Sequence, residues 1–469
     1  MLLQSARKAL AIVSTALLVS SSLTSAATAN GYKDGRVVLG YIPLQRQTGI
    51  PWDSLTHANI AFAFASDRGN ITFEGTVVNK TMTSEQHARE VIADGQKHNV
   101  KMLVAVGGQG NFSKHLAGAL STPKTLSAFV SNTVDFVAAY KLDGIDCDFE
   151  FPENLTEATN LLTVLQGIRK GMDGKFGKGK KLLTMTLYNH PFLGPGVPSM
   201  DYKPFYETVD YAYVMSYDYF GNWGDYSAPN APMLDVPFFQ GSFRNTTDAW
   251  LDAGWPANKL VAGLPFYGHS SVVATDMSKN LTNQYVPIKD HKTLSGPVSE
   301  IEGTWTWKDL RDPKGGALSD MRTARSGWVR VWDKFTLTPW LFRKSDHLYI
   351  GYDDEDSLGV KLDYSLRRGL AGAFIWELGY DYNDELISYV KDFIQQSDDG
   401  MVAENCAPSD SDLDSLFDES RDPNFFNYIF NYIALRKRDG DKPMCQFVKE
   451  SGGDKSQEST GAAPGLSRV

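Results

Sequence analysis

Eight short β-type runs alternate with helical stretches between Val37 and Trp376, and a row of acids stands at the end of the fourth run. The two observations together predict an α/β fold, a (β/α)8 TIM barrel of parallel strands joined by crossover helices. A third observation adds to it. The interval from about 270 to 348 is too long for one connection, so it reads as an α+β subdomain inserted between strands 7 and 8.

In order, the first runs are Val37-Val-Leu-Gly-Tyr41, His57 to Phe64 and Lys101-Met-Leu-Val-Ala-Val-Gly-Gly108. The fourth follows a helical stretch, Leu126 to Tyr140, and the turn signal Lys141-Leu-Asp143-Gly144. The remainder are Leu182 to Tyr188, Tyr211 to Tyr217, Leu260 to Pro265 and Ala371 to Trp376. In such a barrel chemistry gathers at the C-terminal strand ends, where Glu150, Tyr217, Asp218 and Trp376 fall although far apart in sequence. The insert carries Trp305, Trp307, Trp328, Trp332 and Trp340, most of which read as its own small core.

The fourth run is Asp143-Gly-Ile-Asp146-Cys-Asp148-Phe-Glu150. Side chains alternate along a strand, so Asp146, Asp148 and Glu150 share one face while Ile145, Cys147 and Phe149 share the other. Neighbouring acids are then about 6.6 Å apart, and their repulsion keeps at least one protonated near neutral pH. A solvated acidic face would not be backed by Ile, Cys and Phe. A calcium loop is the better rival, because Asp146, Asp148, Glu150 and Glu157 match an EF-hand register, but Phe151-Pro152 replaces its turn glycine. Asp143 lies off the row and is assigned to positioning the strand start.

The acidic octet resembles the signature of family-18 glycoside hydrolases, the chitinases and their relatives. Four more segments resemble that family in the same order: Lys101 to Gly108 its third strand, Tyr211-Ala-Tyr-Val-Met215-Ser-Tyr217-Asp218 its sixth, Gly263-Leu-Pro-Phe-Tyr-Gly268 its seventh and Gly372-Ala-Phe-Ile-Trp376-Glu377 its eighth. The resemblance runs from about Val37 to about Ile394. It implies a chitinase that cleaves β-1,4 links between N-acetylglucosamine units with net retention, the sugar's own acetamido carbonyl attacking the anomeric carbon. Glu150 would be the acid. Asp148 would hold the acetamido N–H, Asp146 would lie deeper and share a proton with Asp148, and Tyr217 would bind the acetamido oxygen. Asp218 would support the distorted sugar and Trp376 would form the floor beneath it. Trp223 would stack on an acceptor sugar, Tyr41 and Phe62 would line the donor side, and Met215, Gly107, Gly108 and His269 complete the implied substrate contacts. Taken alone, Tyr217 reads as a buried tyrosine and Trp376 as a barrel-core aromatic. The acidic row is what draws them into the site.

Three positions depart from the family pattern. Ala105 replaces a serine that relatives place near the acidic row, Gln109 stands where many have Trp, and His269 stands where many have Arg. A titratable His269 would link activity to mildly acid pH. Two alternatives stay open. One is an endo-β-N-acetylglucosaminidase cutting N-glycan chitobiose cores; the other is a chitin-binding lectin, though lectins of this type lack an acid that this chain retains.

The chain has 469 residues, 42% hydrophobic and 22% charged, which is ordinary globular composition. A net charge of -10 and the absence of a phosphate-binding Lys/Arg run speak against nucleic acid as a partner. Eight histidines show no metal-ligand spacing, and neither a metal nor another cofactor is expected. Arg7-Lys8, the apolar stretch Ala9 to Val19 and Ala27-Thr-Ala29 read as a signal peptide over residues 1–29, too short to span a membrane. The catalytic barrel would occupy 30–395, and an acidic, low-complexity tail with an aromatic patch, Phe425 to Ile433, would occupy 396–469. Sequons at Asn70, Asn79, Asn111, Asn154, Asn245 and Asn280 fit a secreted glycoprotein. Cys147 is expected as a buried thiol, which leaves Cys406 and Cys445 to pair. The expected molecule is a secreted monomer that acts on chitin or chitooligosaccharides and engages no membrane.

Overall fold

The computed structural model describes residues 35–44, 49–73, 77–79, 82–192, 200–236 and 241–396. The signal segment, the tail and both Cys406 and Cys445 lie outside the described residues. Eight strands carry the fold: β1 (Val37–Pro43), β2 (His57–Ala65), β3 (Lys101–Gly107), β4 (Gly144–Asp148), β5 (Leu182–Leu187), β6 (Tyr211–Val214), β7 (Leu260–Pro265) and β8 (Gly372–Trp376). Each pairs in parallel with the next, and β1 pairs with both β2 and β8, so the sheet closes. Closure leaves no edge and two apolar surfaces to fill.

Period-two alternation fills both. Val37, Leu39, Tyr41, Ala61, Ala105, Tyr213, Val261 and Phe374 pack inside the barrel. Val38, Ile60, Val104, Ile145, Cys147 and Phe149 pack outward in a second, larger cluster that also takes in helix residues such as Leu161, Leu165 and Ile168 of the Leu155–Phe176 helix. The predicted facing of β4 is therefore observed: its apolar residues join the outer layer and its acids point inward. Asp143 caps the strand start, accepting the Met102 N–H at 3.0 Å and the Gln96 amide at 3.2 Å.

Two strand ends are shorter than expected. β4 stops at Asp148, so Glu150 lies just beyond the ladder, and β6 stops at Val214 rather than Tyr217. At the second end Asp218 adopts a left-handed φ of 58°, which turns the chain away from the sheet, and its N–H is held by Asn230 Oδ1 at 3.0 Å.

The insert is a five-stranded antiparallel sheet whose order is Thr304–Thr306, Tyr267–Val272, Leu348–Gly351, Thr338–Arg343 and Trp328–Asp333. It opens at Tyr267, one residue after Phe266 leaves β7, so Tyr267 and His269 ride on an insert strand. The tryptophans divide differently from the expectation of a separate core. Trp340 packs with Val273, Met277, Val286, Phe342 and Tyr349 in a cluster of the insert's own. Trp305 and Trp307 belong to the main core, with Trp328 and Trp332 packed against it, because the insert is pressed onto the barrel. Trp307 Nε1 donates to Glu385 of the helix Glu385–Gln396 at 2.9 Å, and Arg311 grips the same carboxylate twice at 2.8 Å.

Candidate active site

At the C-terminal end of β4 the three acids form a graded column. Asp146 is wholly buried: Tyr41 donates to its Oδ2 at 2.9 Å and Thr184 to its Oδ1 at 2.6 Å. Thr186 donates to Asp148 Oδ1 at 2.6 Å. Above it, Glu150 is bound to the helix Asn111–Leu120 through its backbone N–H, which donates to Ser113 Oγ at 2.7 Å.

Burial governs the electrostatics. It pushes Asp146 up to about 8, with the Asp148 charge adding to the rise and the hydrogen bonds from Thr184 and Tyr41 opposing it. Asp148 is raised well above the usual carboxylate range, by burial first and then by Glu150. Glu150 is raised to about 7 by burial and by Asp218, against a hydrogen bond shared with Asp148. Tyr41 and Thr184 each donate to one Asp146 oxygen, while Asp148 feels the Glu150 charge above it. A carboxyl that holds its proton near neutrality at a cleft mouth is suited to act as a general acid.

The remaining candidates sort into three levels. Tyr41 is 1% exposed and reaches the column from beneath, its hydroxyl committed to Asp146 rather than lining the donor side. Tyr217 is buried against Tyr267 and Phe374, within electrostatic reach of Asp148 and Glu150. Met215 is half-buried against the barrel-interior cluster. Trp376 stacks on Phe62 at 5.8 Å and leans on Tyr41 at 5.4 Å, so the pair Trp376–Phe62 forms a half-open apolar floor. At the rim, Asp218 Oδ1 accepts from Tyr267 Oη at 2.6 Å and meets His269 Nε2 at 2.7 Å. Trp223, 56% exposed, stands edge-on to the His269 ring at 4.9 Å.

Gly107 and Gly108 act through the backbone. A Cβ on Gly107 would stand 2.0 Å from the Asp148 carbonyl oxygen, and one on Gly108 would stand 3.1 Å from the Phe62 ring. Both have positive φ, and the Gly108 N–H donates to that same carbonyl at 2.8 Å. The glycine pair lets β3 close onto the acidic strand. Ala105 is wholly buried and register-paired with Asp146, while Gln109 is exposed.

Sequence reading passed over Thr184, Thr186, Ser113 and Tyr267. The first two were legible: in Leu182-Leu-Thr184-Met-Thr186-Leu187 both hydroxyls fall on the inward face of the strand beside the acids. Ser113 carries no such signal, since its role depends on where its helix lands.

Residues 34–381 match the family model described as glycosyl hydrolases family 18. A chitinase-like effector from Moniliophthora roreri is 26% identical over 81% of this chain and 96% of its own length. A class V chitinase from Arabidopsis thaliana is 26% identical over 72% of this chain and 84% of its own. Among solved structures, a chitinase from Rhizomucor miehei superimposes with a TM-score of 0.65 at 27% identity, covering 76% of this chain and all of that one. With the acids at the mouth of a closed parallel barrel and a family match across most of its length, this chain belongs to glycosyl hydrolase family 18.

Proposed function

We propose that the protein is a secreted chitinase that hydrolyses β-1,4 links between N-acetylglucosamine units with retention, assisted by the substrate. The observation that carries this reading is the acidic column at the mouth of the closed barrel, where Glu150 lies just beyond the end of β4 above Asp148 and Asp146 and is raised to about 7, chiefly by burial. Glu150 gives its proton to the glycosidic oxygen. As the C1–O bond breaks, the 2-acetamido oxygen bonds to C1 and forms an oxazolinium ion. Asp148 turns from Glu150 to the acetamido N–H, and Tyr217 steadies the acetamido oxygen. Trp376 and Phe62 support the sugar from below, Asp218 with Tyr267 and His269 orients its hydroxyls, and Trp223 carries the acceptor sugar. Glu150, now a carboxylate, takes a proton from the water that attacks C1, which reopens the ring and restores the acid. All three acids sit in one column along and just beyond one strand, which supports a nucleophile supplied by the substrate rather than by a facing carboxylate.

Secretion is part of the proposal. Asn70, Asn111, Asn154, Asn245 and Asn280 are all exposed, which is what glycan attachment requires. A binding-only reading is kept as second, because two relatives bear the name chitinase-like effector. The intact acidic column speaks against it.

The deciding experiment is a mass-resolved product profile from chitin hexasaccharide for the wild type and Glu150→Gln. Shortened oligomers from the wild type, with a loss of about 10²–10⁴-fold or more in the variant, support hydrolysis with Glu150 as the acid. Intact hexasaccharide in both, with binding retained, establishes the lectin reading. Cleavage of an N-glycan core alone would redirect the substrate to glycoproteins.

A further inference from the structure

Trp223 belongs to the loop Phe220-Gly-Asn-Trp223-Gly-Asp-Tyr226, whose two glycines make its order costly in backbone entropy. The indole lies on Gly221, where a Cβ would stand 2.2 Å from the ring, and the His269 ring meets it edge-on at 4.9 Å. Its chain neighbour Asn222 makes a reciprocal pair with His291 of the insert. His291 Nδ1 lies 2.7 Å from the Asn222 carbonyl oxygen, and Asn222 Nδ2 donates to the His291 carbonyl at 3.3 Å. A carbonyl oxygen only accepts, so the ring hydrogen sits on Nδ1.

The turn that presents His291 is itself anchored. Asp290 and His291 have left-handed φ of 55° and 48°, and the Lys292 N–H closes the turn on the Lys289 carbonyl at 3.2 Å. The Lys289 N–H donates to the Val272 carbonyl at 2.8 Å, and the Val272 N–H donates to the Lys292 carbonyl at 2.9 Å. The turn is thereby docked on the end of the insert strand Tyr267–Val272, which also carries His269. One strand therefore reaches Trp223 twice, at its ring through His269 and at its backbone through His291.

We propose that His291 is a positioning residue for Trp223: through Asn222 it fixes the direction of the indole, so that the insert sets how firmly the acceptor sugar is held. The inference rests on the proposed hydrolase function, in which Trp223 carries that sugar. A stacking platform fixed before the ligand arrives spares the complex the cost of ordering it. The far end of the loop is tied independently of His291, because the Ile288 N–H donates to the Asp225 carbonyl and the Ser227 N–H to the Val286 carbonyl, both at 2.9 Å. Loss of the His291 ring should free the Trp223 end and leave that base in place.

The test compares His291→Gly with His291→Asn. Both tolerate a left-handed φ, but only asparagine keeps an amide donor on a side chain of matching reach. Each is placed in the Glu150→Gln background, so that calorimetry with chitin hexasaccharide reads binding rather than cleavage, and amide hydrogen exchange is followed over residues 219–227. In His291→Gly, exchange around Trp223 should quicken and affinity should weaken by about three- to tenfold. His291→Asn should restore both, and adding His291→Gly to Trp223→Ala should cost no further affinity. Unchanged exchange in His291→Gly overturns the tie. Faster exchange with unmoved affinity, a loss that persists in Trp223→Ala, or a His291→Asn that restores neither readout overturns the positioning role. A chain that neither binds nor cleaves the hexasaccharide sinks the proposed function and the acceptor role with it, while exchange still decides whether His291 holds the loop.

Discussion

Among the described residues, the structure treats two acid-dense stretches in opposite ways. In Asp146–Glu150 the two aspartates meet hydroxyls, and among the described residues no lysine or arginine pairs with any of the three acids. In Asp353-Asp354-Glu355-Asp356, at the start of the helix Glu355–Arg367, every acid has a cation. Lys361 pairs with Asp353, Arg330 with Asp354, and Arg322 with Glu355 at 2.5 Å and Asp356 at 2.7 Å. Arg322 and Arg330 come from the insert, so the second cluster is a clamp between insert and barrel. What separates a reactive acidic cluster from a structural one is therefore not acid density but whether the fold delivers counter-charges.

The contrast can be broken most severely at Lys361, wholly buried with Asp353 and lying over the Phe243 ring. Lys361→Met strands a buried carboxylate and should cost about 3–5 kcal/mol in urea denaturation. A loss below about 1 kcal/mol would mean that water reaches Asp353 and that the carboxylate is not held by Lys361 alone. In the reactive cluster the same kind of neutralisation should stabilise. Asp146 is raised when folded, so its stabilising contribution is complete below the unfolded value of about 3.9 and is lost as pH rises through about 8. Asp146→Asn should therefore gain on the wild type across that window, by up to about 1.4 kcal/mol per pH unit, while losing activity. Parallel stability curves for the two proteins would contradict the raised titration.

A gentler change sharpens the comparison by adding a donor without a charge. Ala105→Ser places a hydroxyl at the position paired with Asp146, and the Asp146 midpoint should fall by roughly half a pH unit or more. An unmoved midpoint would show that the new hydroxyl turns elsewhere. The smallest effect is expected at the rim, where His269 meets the half-exposed Asp218. His269→Arg replaces a titratable partner by a permanent cation, so the pH profile should change shape while kcat/KM at the optimum stays within about fivefold. Superimposable profiles would remove His269 from the pH response.

Much of this was legible because strands report facing directly. Ile145, Cys147 and Phe149 announce the outer layer, and their alternation forces Asp146 and Asp148 into the interior. Thr184 and Thr186 obeyed the same rule. Other features were hidden for a physical reason. The hydroxyl of Tyr41 lies beneath the acids rather than along the cleft because closure of β1 against β2 and β8 points it inward. Trp305 and Trp307 joined the main core because the insert docks, which no local pattern in 267–351 records.

By itself, then, the sequence determined the closed barrel, the acidic column and the family, because period-two alternation and the spacing of strand-end residues are local properties of the chain. Only the tertiary structure decided which donors meet which acid. Proton sharing depends on donors brought from β1, β5 and a helix more than thirty residues away in sequence, and on the water that their packing excludes.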